Sequence, residues 1–151
     1  VAINPEFIGR TYPPTQSYSV GREKIREFAS ALGETSPCFF NLDSARQLGY
    51  PDLVAPPTFA VVATMKAGEQ VVFDPELALD YTRVVHGEQR FVQHRPIFAG
   101  DELTSTVSVD SIRSAAGNDM ITVKTQLHST GGELVSTVYS LLVSRGVEEV
   151  S

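Results

Sequence analysis

Two stretches of this chain gather side chains able to move protons or hold polar groups. The first is Gly33-Glu34-Thr35-Ser36-Pro37-Cys38-Phe39-Phe40, which brings a carboxylate, a hydroxyl and a thiol close together. A carboxylate can orient a water or accept a proton, and a hydroxyl can donate to a polarised oxygen. The second is Val85-His86-Gly87-Glu88-Gln89, continuing through Phe91 to His94-Arg95-Pro96 and Gly100-Asp101-Glu102-Leu103. An imidazole exchanges protons near neutral pH, and a guanidinium holds anions. Plainer roles stand beside these. Glu34 and Ser36 also suit an ordinary loop after a helix. Cys38 reads as a small buried hydrophobe, since no cysteine–histidine arrangement is visible. His86, before Gly87, reads more often as a structural hydrogen bonder at a strand end than as a catalyst. His94 and Arg95 face solvent or contact a phosphate. His128 is expected on an outer strand, exposed, and Asp101 in a structural turn. The three histidines are scattered and no cysteine cluster accompanies them, so no metal site is expected.

Elements must position these groups, and hydrophobic spacing indicates which. Arg22 to Leu32 reads as a helix, with Ile25, Phe28, Ala29 and Leu32 on one apolar face. Gly33 then stops it. Asn41 to Leu48 reads as a second short helix, with Asn41 as N-cap and Gly49 as stop. Thr58 to about Phe73 is the longest helical candidate, preceded by Pro56-Pro57. Its apolar residues cover almost the whole circumference, which predicts burial inside a wrapped sheet. Ala60, Ala63, Ala67 and Gly68 are small enough for strands to approach closely. Upstream, Tyr12-Pro13-Pro14 excludes helix, and a short extended piece follows near Tyr18.

The remainder reads as strands, and two of them, Glu102–Arg113 and Met120–His128, alternate with the two-residue period. Val84–His94, Glu102–Arg113, Met120–His128 and Leu134–Val143 are the runs, with turns at Gly117-Asn118-Asp119 and Thr130-Gly131-Gly132. Helices first and consecutive strands afterwards indicate α+β, arranged as an antiparallel meander after a buried helix. Residues 1–151 read as one domain, with a frayed tail from Val147.

Composition narrows the partners. A chain of 151 residues with 42% hydrophobic and 20% charged content suits one globular core. The net charge of −6 argues against nucleic-acid binding. No run is apolar for long enough to span a bilayer, and the amino terminus lacks the pattern of a secretory signal. One cysteine fits a reducing cytoplasm.

Three segments carry a resemblance to the MaoC-like (R)-specific hydratases and dehydratases of the hot-dog fold. They are the loop Gly33–Phe40, the helix entry Ala55-Pro56-Pro57-Thr58-Phe59, and His86-Gly87-Glu88-Gln89 with His94-Arg95-Pro96 and Gly100-Asp101-Glu102-Leu103. The loop in catalytic members reads Gly-Asp-x-Asn-Pro-x-His. Gly33 and Pro37 match it, whereas Glu34, Ser36 and Phe39 stand where Asp, Asn and His belong. The later segments are similar to the amino-terminal, non-catalytic half of two-domain type 2 hydratases and to small actinobacterial dehydratase subunits.

The resemblance implies a curved antiparallel sheet around a central helix and no cofactor. It implies acyl-CoA or acyl carrier protein thioesters as substrates, handled by a homodimer or by a heterodimer with a catalytic hot-dog homologue. Glu34 and His86 are the candidate catalytic groups. Ser36, Phe39, Pro57, Phe59, Gly87, Gln89, His94 and Arg95 are the candidate substrate contacts. A phenylalanine neither gives nor takes a proton, and losing a positioned acid–base group costs about 10²–10⁴-fold. The expectation is therefore a hydratase subunit that supplies acyl-binding surface rather than the base. A non-enzymatic acyl-thioester binding module is the alternative. A thioesterase, which would rely on Glu69 of the central helix, is another.

Overall fold

The computed structural model describes residues 3–146, so the expected tail from Val147 lies outside the described residues. Three helices precede most of the sheet: α1 (Arg22–Ala31), α2 (Leu42–Gln47) and α3 (Ala60–Val72). The strands are β1 (Tyr18–Ser19), β2 (Val84–Gln93), β3 (Glu102–Ala115), β4 (Asn118–Ser129) and β5 (Leu134–Ser144). They form one antiparallel sheet in the order β1-β3-β4-β5-β2.

That order corrects the expected meander. Only β3, β4 and β5 follow one another through hairpins, and β2 pairs with β5 at the far edge. The chain cannot turn directly from β2 into β3, because residues 94–101 are tied down elsewhere. His94 N–H donates to Val135 O, Ala99 N–H to Leu53 O, and Gly100 N–H to Val20 O. These bonds carry the chain from one edge of the sheet to the other. The same order places β4 centrally, so His128 is half-buried on an inner strand rather than exposed on an outer one.

Strand residues facing α3 alternate as the sequence requires. Leu103, Ser105, Val107 and Val109 on β3, with Ile121, Val123, Thr125 and Leu127 on β4, are all buried. The small residues of α3 meet them. Ala60, Ala63 and Ala67 are buried, and Ser105 Oγ donates to Ala63 O at 3.0 Å. Pro57–Phe59 forms a 3₁₀ turn that leads into α3, and the helix proper begins at Ala60 rather than Thr58. Phe59 is completely buried against Phe28 of α1, with ring centroids 5.4 Å apart and planes at 87°. This edge-to-face pair locks α1 over the start of α3. Leu32, assigned to the buried face of α1, instead follows the helix and is 50% exposed.

The sheet curves round α3 as expected, but the helix is not buried over almost its whole circumference. Met65 and Phe73 are each 63% exposed, and Glu69 is exposed between them. Five strands curve round one side of the helix and stop at β2, leaving the opposite side open.

Candidate functional site

Gly33 ends α1 with a left-handed backbone (φ 76°), a conformation that favours glycine. Gly33 N–H donates to Ser30 O and Glu34 N–H to Ala29 O, which closes the helix and turns the chain outward. Glu34, Thr35 and Ser36 are exposed. Pro37–Phe39 then forms a 3₁₀ turn that drives Cys38 into the core and leaves Phe39 half-buried against it. Ser36 Oγ lies 3.3 Å from Cys38 Sγ. Asn41 caps α2 as expected, its side chain accepting from Ser44 N–H at 2.9 Å. At position 39, therefore, an aromatic ring packs on apolar neighbours.

The second group of candidates gathers elsewhere, along the open side of α3. A groove of about 420 Å³ runs between that helix face and the inner face of β2. Val61, Met65, Val72, Phe73, Val123 and Leu142 give it apolar walls, and Glu69, His86, Gln89 and Tyr81 add polar groups. None of the residues of the 33–40 loop lines it. Mostly apolar walls with a few convergent polar groups are the usual make-up of a small-molecule site.

Strand geometry alone would separate His86 from Gln89, because side chains an odd number of residues apart face opposite sides. A register shift between His86 and Glu88 reverses this. His86 pairs with Leu142 and Glu88 with Leu141, so Gly87 is the extra residue of a bulge. Beyond it Gln89 returns to the inner face, while Glu88 and Arg90 face outward beside Tyr139. Glycine is demanded there by close approach: a Cβ at Gly87 would lie 3.1 Å from Leu141 Cδ2 and 3.2 Å from Val143 Cγ2.

The other sequence candidates occupy different ground. Pro57 is exposed at the entry to α3, whereas Phe59 is sealed in the core and cannot touch a ligand without opening it. His94 is exposed, with Nε2 3.2 Å from Thr137 Oγ1. Arg95 is turned inward. Its Nη1 and Nη2 groups donate to the two oxygens of Asp101 at 2.9 and 3.0 Å, Nε donates to Glu133 at 3.1 Å, and Nη1 also reaches Pro96 O. Bonding to Asp101 raises the guanidinium pKa despite partial burial, with Glu133 adding to the effect. Most of its donors are thus spent, and the guanidinium does not present itself to an external phosphate. Asp101 also accepts from Phe98 N–H, which makes the pair a clasp on the crossover.

Sequence reading missed Met65, Phe73 and Tyr81 as groove walls. The signal lay in the polar residues that interrupt α3: Lys66, Glu69 and Gln70 mark the side that is not wrapped. Among the described residues, no cluster of histidine, cysteine, aspartate and glutamate is placed to hold a metal ion, and no helix is long and apolar enough to cross a membrane.

Comparison with known proteins agrees with this architecture. The family described as "FAS1-like, dehydratase domain region" matches residues 6–138. A UPF0336 protein of Streptomyces avermitilis is 52% identical over 149 residues, covering 99% of both chains. A UPF0336 protein of Saccharopolyspora erythraea is 54% identical over 147 residues, covering 97% of this chain and 94% of its own. Among solved structures, a MaoC-like dehydratase superposes with a TM-score of 0.87 and 36% identity. The match covers 96% of this chain but 44% of that protein, so this chain spans less than half of it. The C-terminally truncated HadBC (3R-hydroxyacyl-ACP dehydratase) complex of Mycobacterium tuberculosis gives a TM-score of 0.80 at 33% identity, covering 91% and 96%. With a buried helix half-wrapped by a five-stranded antiparallel sheet and relatives aligned end to end, this chain belongs to the FAS1-like dehydratase family of MaoC-like hot-dog proteins.

Proposed function

We propose that this chain is a subunit of a (3R)-hydroxyacyl-thioester dehydratase or enoyl-thioester hydratase acting on acyl-CoA or acyl-ACP. In this reading it supplies acyl-binding surface, and a second hot-dog chain supplies the acid–base pair. The observation that carries the reading is the loop at 33–40. Its backbone is kept, with Gly33 in the left-handed region and Pro37 opening the turn, yet Phe39 packs apolar against the core. Dehydration removes a proton from C2 and expels the C3 hydroxyl as water, and a phenyl ring serves neither step. Glu34 has a carboxylate, but it stands exposed, where water screens it and nothing holds it to a substrate.

The groove beside α3 supports the binding half of the reading. Its apolar walls suit an acyl chain, and His86 and Gln89 line it with groups that can hold polar atoms of a thioester. Ser36, Phe39 and Pro57, on the loop and the entry to α3, remain proposed contacts on the side where a partner's loop would approach. The dehydratase complex similar to this chain supports the paired arrangement. The buried, unpaired Cys38 is compatible with a reducing cytoplasm.

The test is hydration of a crotonyl thioester by the purified chain alone and after co-expression with a homologue bearing the Asp/His pair. The expected result is activity at least about 10²-fold higher for the pair. Robust activity of the chain alone would overturn the assignment. One observation favours a second reading, thioester hydrolysis: Glu69 lines the same groove as His86. Release of free thiol from an acyl-CoA, lost in Glu69→Gln, would identify it.

A further inference from the structure

We propose that Thr125, at the floor of the groove beside α3, selects acyl chains that carry a second oxygen, a hydroxyl placed well beyond C3. The proposal rests on the reading above in that the groove holds the acyl group of a thioester, and it goes further in naming which acyl groups the groove prefers.

Six polar or charged residues are buried among the described residues: Thr64, Asp74, Ser105, Thr125, Ser136 and Thr137. Five of them bond within the chain. Thr64 Oγ1 donates to Ala60 O at 3.0 Å, and Ser105 Oγ donates to Ala63 O at 3.0 Å. Ser136 Oγ donates to Val92 O, Asp74 accepts from Tyr12 Oη, and Thr137 Oγ1 lies 3.2 Å from His94 Nε2. Thr125 is only 5% exposed and its hydroxyl has no such partner. Its neighbours across the sheet are Val107 and Val138, whose side chains offer neither donor nor acceptor. No side-chain oxygen or nitrogen among the described residues is both sealed and unpartnered, so the part of Thr125 left open includes its hydroxyl. It opens onto the groove, which Thr125 lines.

Packing does not ask for threonine at this position. The inner face of β4 reads Ile121, Val123, Thr125, Leu127, and valine has the same branched shape with no hydroxyl to satisfy. An alkyl chain laid over Thr125 would strip water from the hydroxyl and leave it unpaired, a loss of about tenfold or more in binding. A hydroxyl on the ligand restores the bond. The substrate's own C3 hydroxyl lies too close to the thioester to serve. Gln89 pairs with Ser140 and Ser140 with Val123, so Thr125 lies two strands and one same-face step from Gln89, roughly 12 Å along the sheet. With the thioester held at His86 and Gln89, only an oxygen several carbons further along the chain reaches Thr125. Ser140 lines the groove between them, and Thr64, whose proton is committed to Ala60 O, can still accept. A hydroxyl, which both donates and accepts, suits such a lining.

The experiment titrates CoA thioesters by calorimetry into the full chain, alone and co-expressed with a homologue bearing the Asp/His pair. Decanoyl-CoA is compared with decanoyl-CoAs that carry one hydroxyl at C5, C7 or C9. At least one hydroxylated probe should bind about tenfold or more tightly than decanoyl-CoA itself. Thr125→Val should abolish that preference, mainly by tightening decanoyl-CoA, and Thr125→Ser should keep it. Crotonyl-CoA is too short to reach Thr125 and should bind the native chain and Thr125→Val alike. Circular dichroism checks that each variant folds, and the comparison of probes on the native chain stands without them. Equal affinity for all the decanoyl probes, or a preference that survives Thr125→Val, would overturn the proposal and mean that the hydroxyl meets only water. Failure of every probe to bind either form, crotonyl-CoA included, would overturn the functional reading and this inference with it. Tight binding without a hydroxyl preference would overturn the inference alone.

Discussion

A methyl group added at Gly87 would press on Leu141 and Val143, both on the outer face of the neighbouring strand. Those side chains are half-exposed and can yield by a few tenths of an ångström, so Gly87→Ala should cost only about 1 kcal/mol in urea unfolding. The larger effect should fall on ligand. If the strand escapes the crowding by losing its bulge, His86 and Gln89 no longer share the groove, and acyl-thioester affinity measured by calorimetry should drop. Arg95 gives the opposite profile. Lysine there cannot make the two-pronged bond to Asp101, so Arg95→Lys should destabilise by about 1–2 kcal/mol and leave acyl binding unchanged. From sequence Arg95 looked like an anion contact, because nothing in the spacing shows that Asp101 and Glu133 converge on it. Cys38 was readable as a buried hydrophobe, since a lone cysteine with no histidine arranged beside it packs as a small apolar side chain.

Elements were more legible than residues. Apolar spacing placed α1 and α3, asparagine at 41 placed the start of α2, two-residue alternation placed β3 and β4, and the flanking turns placed β5. The bulge in β2 was not legible, because a single glycine in a strand does not reveal which neighbour crowds it. The anchor at the far end of α3 was also hidden. Tyr12 Oη donates to Asp74 at 2.6 Å, and Arg10 lies 3.4 Å from the same carboxylate, pinning the amino-terminal segment to the helix end. Burial works against the charged form of Asp74. The Tyr12 hydroxyl, the backbone N–H groups of Glu76 and Leu77, and Arg10 outweigh it, and the carboxyl is held below its ordinary value of 3.8. A depressed folded pKa contributes stability that is complete above the unfolded value and lost as pH falls through the folded one. Stability should therefore decline below about pH 4, and Asp74→Asn should flatten that acid limb. Burial and the bond to Asp74 push the Tyr12 phenol upward, so its contribution is present below pH 10 and lost above it. Tyr12→Phe should remove the alkaline loss and cost about 1 kcal/mol near neutrality, read from unfolding curves across pH.

At the scale of the molecule the sequence specifies an apolar central helix and strands enough to cover it, but not how far round they reach. Apolar residues over almost the whole circumference of α3 imply burial on nearly every side, yet Met65 and Phe73 stay exposed on the side away from β3, β4 and β5. The order β1-β3-β4-β5-β2 depends on where the 94–101 crossover is anchored, through backbone bonds that no periodicity encodes. The mismatch between an apolar face and its exposure leads to a test of what covers it. Met65 is 63% exposed, so Met65→Lys removes little packing within one chain, and monomer stability should change by no more than about 0.5 kcal/mol. If a second hot-dog chain covers this face, the buried ammonium must be desolvated at the interface, which costs far more than the lost contacts. Association should weaken at least about tenfold in sedimentation equilibrium, with the unfolding midpoint at low concentration unmoved. An equal loss in both measurements would mean that Met65 serves the fold of the single chain, and unchanged association would mean that this face stays open to ligand.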